Sequence, residues 1–234
     1  MRSIVRAAAP TCLSSVRTSD KWEDLEPVSK SEIRDALAGM SESDEGSLCH
    51  YCERSIKWKK DRYSIDHLFP RHRFPDRTFD WANLYLSCKT PDHCEQYKDA
   101  PGHPDYDPAD LVRPDVDDPD RFFQFLSDGR VIPRPGIREP DRHRAETTIE
   151  VLNLNCPRLV TSRRQVVSMA EAIVSEVMEL SGLSPDEREE LLRLEIRDAR
   201  SDLSRIAHGT VARHYFFYFR WADCDEVSTS PSKP

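Results

Sequence analysis

Residues 49–98 read CHYCERSIKWKKDRYSIDHLFPRHRFPDRTFDWANLYLSCKTPDHCEQYK. Two cysteine pairs bracket this stretch, Cys49-x-x-Cys52 at its start and Cys88-x5-Cys94 at its end. A Cys-x-x-Cys on a tight turn presents two thiolates to one tetrahedral ion, and a second pair completes a structural zinc site. The closing pair is wider than the usual two-residue gap, so His93, next to Cys94, is an alternative fourth ligand. A small strand-and-helix unit buries too little surface to hold itself, which gives a metal staple a physical purpose. The plainer reading is four buried, reduced thiols.

Between the pairs lies Asp66-His67, followed by Asn83. Side chains alternate along a strand, so neighbours at a strand end can serve different partners. Asp66 is a hard oxygen donor suited to Mg2+ or Mn2+. A neutral His67 can take a proton from a water attacking phosphorus. Asn83 can hold the His67 ring through a side-chain or backbone bond. On the closing helix, Glu95 offers a second ligand for the catalytic ion, and Lys98, one turn on, could meet a phosphate. An Asp-His pair alone more often belongs to a polar loop; the bracketing cysteines, Asn83 and Lys98 favour a catalyst.

Working outward, Leu48 to Glu53 and Ser64 to Leu68 read as strands joined by the polar turn WKKDR at 58–62. Trp81 to Ser87 reads as extended and His93 to Lys98 as a short helix. Before them, residues 1–46 form an irregular arm and a helix capped by Ser29 with Glu32 as its capping-box partner. Residues 99–143 are an acidic, proline-rich connecting segment, draped over the surface, with RFFQFLSDG docking and Gly129 turning it. Residues 144–222 read as helical. Val166, Val167, Ala170, Ile173, Val174, Val177 and Met178 form one amphipathic stripe, Leu191, Leu192, Leu194 and Ile196 another. Ser184-Pro185-Asp186-Glu187 caps the second of these helices, and 223–234 reads as a disordered tail. The fold class is α+β, mainly helical, around a small zinc-stapled module at 47–98.

Charge sharpens the picture. The 234-residue chain carries a net charge of -8. Yet residues 49–98 hold 10 Lys/Arg against 7 Asp/Glu, and residues 99–128 hold 2 against 9. The module is thus locally basic, through Lys57, Lys59, Lys60, Arg62, Arg71 and Arg73; a solvated loop is the plainer reading of such a run, and the candidate metal centre beside it favours phosphate contact. No apolar run approaches the roughly 20 residues that span a bilayer, and the first residues do not read as a secretory signal. A cytoplasmic, reducing setting is expected, with no membrane partner. There the 7 cysteines serve as four ligands plus ordinary thiols at Cys12, Cys156 and Cys224.

CHYCERSI, SIDHLFPRHRF, FDWANLYLSC and CEQYK together resemble the HNH nucleases of the ββα-metal class. MRSIVR at the start, Tyr51-Cys52-Glu53, Trp81-Ala82-Asn83-Leu84 and the segment TIEVLNLN at 148–155 narrow the resemblance to one branch. That branch is the HNH proteins of bacterial anti-phage systems of the Septu type and their retron-associated relatives. The resemblance covers most of residues 1–165 and implies metal-dependent DNA cleavage governed by an ATPase partner. It implies His67 as general base, Asp66 and Glu95 as ligands of Mg2+ or Mn2+, and Asn83 as support. Cys49, Cys52, Cys88 and Cys94 would hold Zn2+. Glu95 departs from the Asn or His usual at its position. The competing readings are a non-catalytic zinc module that binds nucleic acid or protein, and an interaction subunit whose main business is the helical region.

Overall fold

The computed structural model describes residues 1–17, 19–56 and 63–217. The turn at 58–62, the cations Lys57, Lys59, Lys60 and Arg62, the aromatic residues from 218 onward, Cys224 and the tail lie outside the described residues. Among the described residues about half are helical, and three small antiparallel sheets are formed. Among the described residues no helix is long and apolar enough to cross a membrane.

The N-terminal arm is irregular but not loose. Met1 and Ile4 are buried, and Ile4 donates its N–H to the Pro114 carbonyl. Arg6 reaches Asp115 and the carbonyls of Trp81 and Leu84. Helix α1 runs Pro27–Gly39 and buries Ile33, Leu37 and Ala38, one face of a 3.6-residue period. Ser29 does not cap it: Pro27 occupies the first turn, where a missing N–H costs nothing. Glu32 instead accepts from Thr11 and Cys12 of the arm.

Strands β1 (Glu42–Ser43), β2 (Gly46–Leu48) and β3 (Ser55–Ile56) form a short ribbon. Residues 49–54 are therefore not the strand expected from the sequence. They fold into a tight knuckle in which Cys49 N–H donates to the Arg54 carbonyl, Glu53 N–H donates to Cys49, and Glu53 takes a positive φ of 61°. The hairpin of the module is built elsewhere. Strand β4 (Tyr63–His67) pairs antiparallel with β5 (Leu84–Cys88), with Asp66 opposite Tyr85 and His67 opposite Leu84. Every residue of β5 is buried, so it needs cover on both sides. Its other side meets the knuckle: His50 N–H donates to the Leu86 carbonyl, and Leu86 N–H returns to His50 Nδ1. Helix α2 (Cys94–Lys98) follows β5.

The segment after α2 is more than a surface drape, since Leu111 and Val112 are fully buried. Helix α3 (Pro119–Phe122) leads into a hairpin of β6 (Phe123–Phe125) and β7 (Val131–Pro133), turned by Gly129. Helix α4 (Asp141–Val151) precedes the long helices α5 (Pro157–Glu179) and α6 (Pro185–Ser204), and α7 (Gly209–Phe217) packs on both. Ser184 and Glu187 form a full capping box at the start of α6. The expected stripes hold with two exceptions, Met178 and Leu194, which lie exposed.

Gly129 has a φ of 90°, and an added Cβ would meet the Val160 carbonyl oxygen at 2.3 Å. Gly136 has a φ of 84° with open space around it. Strained backbone alone costs about 1 kcal/mol for Gly136→Ala. Overpacking adds a further 1–3 kcal/mol, roughly, for Gly129→Ala. Thermal denaturation of the two variants should rank them in that order.

Candidate metal centre and active site

Cys49 and Cys52 sit at the two corners of the knuckle, Cys88 ends β5 and Cys94 begins α2. All four are buried, and their sulfurs lie within 4.8 Å of one another. Cys49 Sγ is 3.8 Å from Cys94 Sγ and Cys52 Sγ is 3.7 Å from Cys88 Sγ. A tetrahedral zinc with bonds of about 2.3 Å sets its sulfurs about 3.8 Å apart, so the donor set fits that ion. Convergence has a backbone cost: Cys94 adopts a positive φ of 57°, held by its N–H bond to the Leu152 carbonyl. His93 lies outside the tetrahedron, its Nδ1 3.2 Å from Cys94 Sγ and 3.5 Å from Cys88 Sγ. A ring nitrogen there can donate to the sulfurs while Cys94 serves as fourth ligand. The second pair brings both its sulfurs to the cluster despite its wide gap, because residues 89–93 loop out between strand and helix.

The knuckle reaches the second cluster through Tyr51, whose hydroxyl donates to Asp66 Oδ2 at 2.5 Å. Burial, then the Asp66 charge, hold that phenol well above its usual pKa. The sequence alone assigns Tyr51 no role of its own; its place between the two knuckle cysteines is the signal that points to it. Asp66 is itself buried. Lys98 Nζ lies 3.1 Å from Asp66 Oδ1 as an ion pair without an aligned hydrogen bond, leaving that oxygen without a hydrogen-bond donor. Lys98 also meets Asp99 at 2.7 Å and the His67 carbonyl at 3.3 Å. Burial works against its charge, but Asp66 and Asp99 outweigh it and keep the ammonium protonated. Lys98 is thus a buried counter-ion, and the structure does not present it for the phosphate contact expected from the sequence. Asp99, unmarked in the sequence, has its carboxyl pushed up by burial and by Asp66.

His67 ends β4 with its ring edge-on to Trp22, centroids 4.6 Å apart. Its Nε2 lies 3.0 Å from the Thr78 carbonyl. A carbonyl only accepts, so Nε2 carries the proton and Nδ1 is left basic. Burial lowers the pKa of the ring to about 4, so it is neutral near pH 7. Asn83 does not touch that ring. Its Oδ1 accepts from Phe69 N–H and its amide donates to the carbonyls of Phe69 and Arg77. It therefore fixes the loop that carries Thr78, acting on His67 at second hand. Glu95 accepts from Ser64 at 2.7 Å and from Gln96. Asp66, His67, Glu95, Lys98 and Asp99 share one open cleft of about 620 Å³, with Arg71, His72 and Arg73 on its wall.

No protein-family profile matches the chain. The chain is similar to proteins of the Septu and retron kinds, the branch its motifs resemble. One is "Septu protein PtuB" of Bacillus thuringiensis, 27% identical over 185 residues, which covers 77% of this chain and 61% of that protein. The other is "Retron Vc95 putative HNH endonuclease" of Vibrio cholerae serotype O1 biovar El Tor. It is 28% identical over 141 residues, covering 59% of this chain and 64% of that protein. The aligned chain spans less than two thirds of either relative's length.

Removing one of the four converging sulfurs should collapse this region. Cys49→Ser is expected to lower bound zinc by about one ion per chain and to lower the melting temperature, because binding free energy is folding free energy in such sites. Elemental analysis beside a thermal melt reads both; unchanged zinc content would remove the structural site.

Proposed function

We propose that this chain is a metal-dependent HNH endonuclease that cleaves DNA, its residues 47–98 serving as a ββα-metal module. We read it as the nuclease effector of an anti-phage system, acting in the cytoplasm with an ATPase subunit. The observation that carries the reading is His67: a neutral, carbonyl-oriented imidazole beside a buried Asp66, in a cleft built from a hairpin and the helix after it. The two relatives lend it support through the name of the retron protein.

In this reading His67 accepts the proton of the water that attacks phosphorus, through Nδ1, while the Thr78 carbonyl keeps the ring in orientation. Asp66 and Glu95 are the residues that would hold Mg2+ or Mn2+, as the hard carboxylate donors of the hairpin and the helix that line the cleft. The ion, when bound, supplies stabilisation of charge on the leaving oxygen. Lys98 anchors Asp66 from the buried side and Tyr51 fixes its other oxygen. Arg71 and Arg73 give the cleft wall cations for the DNA backbone. The zinc cluster is scaffold. The helical region from 144 onward is proposed to receive the ATPase.

The test is cleavage of plasmid and linear DNA with Mg2+ or Mn2+, by the chain alone and co-purified with the ATPase. Wild type should cut in at least one condition, and His67→Ala should lose roughly a hundredfold or more, the usual worth of a general base. Absence of cutting in both conditions would remove the nuclease reading. Equal cutting by His67→Ala would remove the assignment of the base.

A further inference from the structure

Behind the four-cysteine cluster a second group of donors converges. Asp92, His93 and Cys156 each bring one ligand atom into a space where these atoms lie within 4.8 Å of one another. The His93 ring is fully buried and faces two ways. Its Nδ1 is against the sulfurs of Cys88 and Cys94, which fits a proton on that nitrogen, since thiolates accept. Nε2 then carries the lone pair. Nε2 is buried without a hydrogen-bond partner, and so is Asp92 Oδ1, 3.8 Å away. Two unpaired polar atoms buried face to face are expensive to leave unmatched. Cys156, also buried, stands at the start of α5.

We propose that Asp92, His93 and Cys156 form a second metal site, distinct from the four-cysteine cluster, for a borderline divalent ion of which zinc is the natural occupant. Nitrogen, oxygen and sulfur donors in one small space are the mixed set that zinc accepts. Three protein ligands leave a fourth position, which a water can take. Arg158 holds the other Asp92 oxygen at 3.1 Å, and Asn153 donates to the Asp92 carbonyl, so the carboxylate is already oriented. On binding, the Cys156 thiol gives its proton to solvent and its sulfur bonds the ion. The site would tie the loop before α2 to the start of α5, joining the module to the helical region.

Cobalt is the probe, because only sulfur-bound Co2+ gives a thiolate charge-transfer band, and the Asp66–Glu95 cleft holds no sulfur. Titration of the full-length apo-protein should raise this band in two steps, one equivalent each. Cys156→Ser should lose the second step only. Asp92→Asn, at a partly exposed side chain, should weaken the second step at least tenfold and leave the first unchanged. A wild type that saturates at one equivalent overturns the proposal, as does a Cys156→Ser variant that keeps both steps. Neither result bears on DNA cleavage.

Discussion

Convergence of four sulfurs is the constraint on which the module depends. The sulfurs come from a knuckle, the end of a strand and the start of a helix, three pieces that could not persist separately. Helix α2 has five residues, far below the length at which a helix holds itself in water. It is fixed at its first residue by Cys94 and at its last by Lys98, so its position follows from the four-sulfur cluster at one end and a buried ion pair at the other. Strand β5 is held between β4 and His50 of the knuckle. The cleft that joins His67 to Glu95 exists because these three pieces cannot move apart.

Buried charge is the second organising theme. Glu53 is fully enclosed, and burial would raise its carboxyl; the amino group of Met1 and the Arg2 guanidinium outweigh that and hold it well below the usual range. It also accepts from the N–H and hydroxyl of Thr210 on α7. Arg163 on α5 is buried with its guanidinium on the carbonyls of Leu154 and Gly129 and over the Phe125 ring. Such groups add little net stability, yet removing one partner strands the other in a low dielectric. They fix which surfaces meet.

Much of this was legible in the residues. The cysteine spacing, the Asp-His pair and the apolar stripes of α5 and α6 are local patterns, and local patterns survive folding. What was not legible is partnership across distance. The strand partner of β4 is β5, not the segment before it, because residues 49–54 turn into the knuckle and bond β5 through His50 instead. Ser29 carries a capping signature that Pro27, two residues earlier, supersedes. Lys98 sits at a spacing that suits a phosphate contact, and only the fold reveals that Asp66 and Asp99 claim it. Cys156 carries no signature, and Tyr51 only its place between the two knuckle cysteines; the partners of both are residues far away in sequence.

Glu53 has one more implication. It is the last of three consecutive residues with separate attachments: Tyr51 to Asp66, Cys52 to the sulfur cluster, and Glu53 to Thr210. The backbone carbonyl of Glu53 also receives the N–H of His208, just ahead of α7. Three adjacent knuckle residues therefore tie three places together: the cleft carboxylate through Tyr51, the sulfur cluster through Cys52 and α7 through Glu53.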